Sequence, residues 1–237
     1  MSYPLFLFAI ICIYVALIVS MRSWKNPRVV DLIFVALIFL PYVTEMLIIY
    51  SDVGFDDWNF RNVLPTANVS PFMFSITPIA LLLPEKARKH LLLLFSLLSV
   101  GMLLSAAVNC IYNTVIGYRF HFHFALDYIS HVALSLWGVY AVRCGRVKLL
   151  PKSCFISGGL ILGVAIVMLI LNVIFDTSFF GLSLNGKHNI YNVVVTDVSI
   201  ISVIIYFAGL IGMLFMGFYY NKLLEKYKLR KEICITK

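Results

Sequence analysis

EKARKHLLLLFSLLSVGMLLSAAVNCIYNTVIGYRFHFHFALDYISHVALSLWGVYAVRCGRVKLLPK, from Glu85 to Lys152, is the stretch that decides the fold. It holds two apolar runs, 91–115 and 122–142, each long enough to cross a bilayer as a helix of about 20 residues. Both outer flanks are basic, Lys86 to Lys89 and Arg143 to Lys152, whereas the connection between the runs carries only Arg119. Cations retained on one side of a membrane mark its cytoplasmic face. The stretch therefore reads as a transmembrane hairpin with both ends inside.

Working outward, the same alternation covers the whole chain. Apolar runs occupy 3–20, 29–50, 68–84, 91–115, 122–142, 154–175 and 197–220. Sixteen of the nineteen Lys and Arg residues fall in four stretches, the other two being Arg22 to Arg28 and Lys222 to Lys237. Arg61, Arg119 and Lys187 are alone in the alternate connections, one of which is acidic through Asp52, Asp56 and Asp57. The expectation is an all-α polytopic integral membrane protein of seven transmembrane helices, N-terminus outside and C-terminus cytoplasmic. Residues 1–221 form the membrane domain, 222–237 a basic cytoplasmic tail, and the location is the plasma membrane.

Composition excludes other classes. Hydrophobic residues make up 62% of the chain and charged ones 13%, about half the charge of an ordinary soluble domain. The runs are too long and too uniformly apolar for β-barrel strands of alternating polarity. The net charge of +8 lies in loops on one face, as topology demands, so nucleic acid is not an expected partner; membrane lipids are. Met1 to Ser20 carries no cation before its apolar run, so a retained span is expected rather than a cleaved leader. The five cysteines lack CxxC spacing, which argues against a disulfide framework. No P-loop or GxGxxG implies a nucleotide. The last run lacks the lysine of a retinal protein, and no Asp-Arg-Tyr closes the third.

Helix breakers and small residues give further expectations. Pro41, Pro71 and Pro78 should kink or interrupt the second and third helices. Gly159 with Gly163, and Gly209 with Gly212, predict close helix contacts in the sixth and seventh spans. The connections 52–68 and 176–192 could fold over the outer face or form an interfacial aromatic belt. Asn68 begins a glycosylation sequon, but it abuts a span and Pro71 follows, so no sugar is expected.

Ionisable groups inside a membrane are costly and call for an explanation. Glu45 falls near the outer end of span two, and Asn109 and Asn113 near that of span four. His121, His123, Asp127 and His131 occupy the outer half of span five. Asn172 and Asp176 end span six, and Asn192 and Asp197 precede span seven. Five helices thus carry polar groups at one depth, which predicts an outward-opening cup. His123, Asp127 and His131 are spaced i, i+4 and i+8, a stripe roughly 80° wide on one helix face.

An aspartate one turn from a histidine can fix its tautomer and support general-base chemistry. In that reading His131, Asp127 and His123 are catalytic. Glu45, Asn109, Asn113, Asn172, Asp176 and Asn192 then hold the substrate. Metal binding by the same stripe would need a ligand from another helix, and neither a metal nor a cofactor is expected. The same residues could instead serve as interhelical hydrogen bonds.

Three segments carry a family resemblance: SPFMFSITPIALLLP from Ser70, HFALDYISHVALSLWGVY from His123, and LNVIFDTSFF from Leu171. From about residue 66 to residue 220 the chain resembles the YwaF-like integral membrane family of bacteria. That family is related to a eukaryotic transmembrane acyltransferase that remodels ether phospholipids. The resemblance implies lipid-modifying, acyltransferase-like activity, with His131 and Asn172 matching a family His and Asn. At the family's usual His and Cys positions in the third span this chain has Phe72 and Phe74, so the family's acyl acceptor is missing. Ser75 and Thr77 offer nearby hydroxyls that His131 could activate, or that bond back to their own helix. The alternative to lipid chemistry is a non-enzymatic binding protein or transporter for a small solute.

Overall fold

A computed structural model of the chain describes residues 2–21, 24, 26–54, 63–65, 69–117, 119–175 and 199–225. Every regular element among them is a helix: α1 (Tyr3–Ser20), α2 (Pro27–Val53), α3 (Val69–Leu82), α4 (Glu85–Val115), α5 (Phe122–Arg143), α6 (Pro151–Phe175) and α7 (Ser199–Glu225). Six are long and apolar enough to cross a membrane, the architecture of a multi-pass membrane protein. The exception is α3, whose 14 residues span about 21 Å against a hydrocarbon core of about 30 Å.

Local chemistry sets these boundaries. Asn26 caps α2, its side chain accepting from the backbone N–H of Arg28 at 3.1 Å and Val29 at 3.3 Å, with Pro27 just inside. Pro84 separates α3 from α4, and Glu85 then sits in the first turn of α4, where its charge suits the helix dipole. That turn carries α4 six residues beyond the start of the apolar run. Pro41 and Pro78 lie within continuous helices, so neither interrupts one. Helix α7 continues to Glu225, taking in the first residues of the expected tail.

The centre of the bundle is α5, which packs against α1, α2, α3, α4 and α7. Its mean hydropathy over the spanning window is 1.2, against 2.5 for the lipid-facing α1. A span can be this polar because its neighbours, not lipid, surround it. Small residues permit the approach. At Gly138 a Cβ would lie 2.6 Å from the Phe95 carbonyl oxygen of α4, and the Ser96 hydroxyl donates to the Gly138 carbonyl at 2.9 Å.

On the other side of α4, a Cβ at Gly217 of α7 would overlap the Leu97 carbonyl. Beside it the Asn221 amide donates to the Ser96 carbonyl at 2.6 Å and the Ser99 hydroxyl at 2.8 Å. The glycines expected to pack closely do not. Among the described residues nothing lies within 4 Å of a Cβ placed at Gly159, Gly163, Gly209 or Gly212. A small residue permits contact only where a neighbouring backbone reaches it.

At the basic end, a fully buried Asp31 of α2 gathers three partners. Arg146 meets it in a fork, at 2.6 and 2.8 Å, the Trp137 indole N–H donates at 2.9 Å, and Arg88 lies at 3.3 Å. Arg88 also donates to the carbonyls of Ala80, Leu81 and Leu83, capping the C-terminus of α3 with positive charge. Burial works against the Arg146 charge, but its bonds to Asp31 and the nearby Glu85 outweigh that and keep its pKa above the ordinary value. Cations that read as topological markers here tie α2, α3, α4 and the end of α5 together.

Candidate functional site: a polar cavity at the opposite end

About 21 Å along α2 from Asp31, near the other end of that helix, Glu45 lines a cavity of about 340 Å³. Four helices build it. Tyr42 and Glu45 come from α2; Ser70, Pro71 and Phe74 from α3; Ser105, Asn109, Tyr112 and Asn113 from α4; Phe124, Asp127, Tyr128 and His131 from α5. Each set follows helical spacing, as in Ser105, Asn109 and Asn113 at i, i+4 and i+8. Val63, from the connection between α2 and α3, completes the wall, held by the Tyr42 hydroxyl, which donates to its carbonyl at 2.8 Å.

His131 and Asp127 are joined as expected. The imidazole Nδ1 is 3.1 Å from Asp127 Oδ1 and 3.0 Å from the Asp127 backbone carbonyl. Both neighbours are acceptors, so Nδ1 carries the proton, and in the neutral ring Nε2 presents its lone pair. Nε2 is buried without a protein partner, in a residue only 3% exposed. Phe74 packs edge-on against this ring at 4.9 Å between centroids and, in turn, against Tyr42 at 5.7 Å.

Of the predicted residues, Glu45, Asn109, Asn113, Asp127 and His131 come together here. His123 does not. Helix α5 starts only at Phe122, so His123 is in its first turn, stacked on His121 at 5.5 Å and against Phe124 at 4.3 Å. Asn172 is buried within α6 but lines no part of the cavity, because α6 packs on α7 and α4 instead. Asp176 and Asn192 lie outside the described residues, as does nearly all of the two outer connections. Among the described residues no three His, Cys, Asp or Glu side chains gather as a metal site.

The two hydroxyls that His131 was expected to activate are already engaged. Ser75 donates to the Phe72 carbonyl and Thr77 to the Phe74 carbonyl, both at 2.8 Å, and neither lines the cavity. Residues overlooked in the sequence are Tyr42, Tyr112 and Tyr128, along with Ser70 and Ser105. Their signal was available: Tyr42 precedes Glu45 by one turn, and Tyr128 receives the Asn113 amide at 3.3 Å. No family model, curated protein or solved structure matches the chain.

Proposed function

We propose that this protein binds a small polar solute in the cavity between α2, α3, α4 and α5, opening away from its basic loops. With those loops cytoplasmic, the cavity faces outward from the plasma membrane, the N-terminus lies outside and seven segments cross. The observation that carries the reading is His131. A buried polar atom without a partner costs free energy, and Nε2 is such an atom, on a ring held by Asp127 in a residue that lines the cavity. A ligand donor would complete it. Thermal unfolding of the purified protein against a library of small polar compounds tests this. A ligand at 100 times its Kd stabilises by about 2.7 kcal/mol, and His131→Ala should abolish the shift. A library in which nothing shifts wild type, or shifts both proteins equally, would sink the reading.

One observation keeps lipid chemistry as a second reading. Phe74, at the position where the YwaF-like family carries its acyl acceptor, packs directly on His131. Lipid-active relatives would then use the same place in the fold, and this chain would act on lipid without a thiol. Lipid profiles of cells expressing wild type, His131→Ala or neither decide it. A lipid class that changes with wild type and reverts with the variant supports this second reading; identical profiles remove it.

A further inference from the structure

We infer that the solute is an organic ammonium ion, an inference that rests on the binding reading above. Charge comes first. Glu45, 5% exposed, and Asp127 both line the cavity, yet no Lys or Arg does so among the described residues. A buried carboxylate needs a counter-charge or must give up its own. Asp127 has the His131 imidazole at 3.1 Å, whereas no ion pair reaches Glu45 among the described residues. An anionic solute would add a further negative group to the same small space. A neutral polyol would leave Glu45 uncompensated.

Hydrogen-bond polarity points the same way. The unpartnered His131 Nε2 is an acceptor in the neutral ring, because Nδ1 holds the proton against Asp127. The amide of Asn113 is spent on Tyr128 and the Tyr42 hydroxyl on Val63. Glu45 and this Nε2, by contrast, keep lone pairs that a substituted ammonium, with its N–H groups and positive charge, would engage.

The carbon part of the ligand is addressed by aromatic rings. Tyr42, Phe74, Tyr112, Phe124 and Tyr128 share the wall with the carboxylates. Ring faces attract cations, and most strongly where water is displaced. An inorganic divalent ion would gain nothing from them and would lack a ligand set. At about 340 Å³ the cavity is at the small end of ligand sites, which suits a compact head. That head could belong to a free amine or to the amine headgroup of a phospholipid.

The test uses full-length protein in nanodiscs of phosphatidylglycerol, which carries no ammonium. Choline and ethanolamine are compared with acetate and with 3,3-dimethylbutan-1-ol, the uncharged isostere of choline. The expected result is a rise in Tm with an ammonium probe and none with its isostere. Glu45→Gln should weaken probe binding at least tenfold, and Asp127→Asn provides a second near-isosteric variant should the first fail to fold. Replacing phosphatidylglycerol with phosphatidylethanolamine separates the sources. Lost choline affinity identifies a lipid headgroup as the occupant, and unchanged affinity a free solute.

Equal or better binding of the isostere or acetate would overturn the ammonium inference while leaving solute binding intact. Failure of these probes while the wider library does yield a His131-dependent ligand of another class would do the same. Failure of every compound would remove both.

Discussion

Two buried carboxylates on one helix meet opposite fates. Asp31, near the start of α2, is surrounded by Arg146, Arg88 and the Trp137 indole. Glu45, near its end, is almost as buried and faces a cavity with no Lys or Arg in its wall among the described residues. Both residues are acidic and buried on one helix, about 21 Å apart. The difference lies in what completes them. Asp31 is completed by the chain itself and so belongs to the structure. Glu45 has no such partner among the described residues, and the proposed solute would supply one.

The sharpest way to break that comparison is to neutralise Asp31. In Asp31→Asn the shape persists, but Arg146 and Arg88 lose the anion that justifies their burial. Removing one member of a buried pair costs about 3–5 kcal/mol. Unfolding in detergent should reveal a loss of that size and a loosening of α3, whose end Arg88 caps. A loss below about 1 kcal/mol would mean that water already compensates both arginines, and the contrast with Glu45 would vanish.

Helix contacts offer a second, smaller contrast. Gly217→Ala must push α7 away from the Leu97 carbonyl, and overpacking of this kind costs about 1–3 kcal/mol. Gly159→Ala meets nothing within 4 Å among the described residues and should change stability by no more than about 0.5 kcal/mol. The same unfolding assay ranks the two. The reverse order would show that the GxxxG pair, rather than the α4–α7 contact, holds helices together.

How far the sequence could be read follows from which forces are local. Apolar length and basic flanks are properties of single segments, so the helices were legible, with α1 placed from residue 3 to residue 20 as expected. Helix α3, expected over 68–84, runs Val69–Leu82; the start of α4 was less legible, because the helix begins at Glu85 behind Pro84, ahead of its apolar run. Asp31 escaped notice for a related reason: it stands in a basic neighbourhood, and its partners come from residues 57, 106 and 115 positions away. Counting Arg88 and Arg146 as topological markers hid their bonds.

In the cavity, Glu45, Asn109, Asn113, Asp127 and His131 were readable from depth and helical spacing alone. His123 shares that spacing within α5, but the cavity wall takes its first residue from that helix one position later, at Phe124. Asn172 was drawn in by depth, which says nothing about the direction a residue faces.

Glu45→Gln carries the comparison back to the cavity. Without a partner cation, this carboxylate contributes no ion pair to the fold, so its replacement should leave stability within about 1 kcal/mol of wild type. A modest gain would agree equally well, since an unpaired buried charge is a cost. Ligand-induced stabilisation, by contrast, should fall away. A large loss of stability without ligand would place Glu45 in the same structural class as Asp31.

The smallest effect expected is at Ser75, and its smallness is informative. Ser75 belongs to the same helix as Phe74 and follows it in sequence, so any hydroxyl-based transfer chemistry would look to it first. Its hydroxyl is bonded at 2.8 Å to the carbonyl three residues back, an arrangement that satisfies the oxygen locally and adds little to the fold. Ser75→Ala should therefore shift stability by no more than about 0.5 kcal/mol and leave both ligand binding and the lipid profile unchanged. A Ser75→Ala variant that erased a wild-type lipid change would mean the hydroxyl leaves its carbonyl to react, and the satisfied and unsatisfied groups of this end would have to be reassigned. An unaltered variant leaves the distinction where the hydrogen bonds put it: Ser75 is complete within α3, whereas Nε2 of His131 has no partner among the described residues.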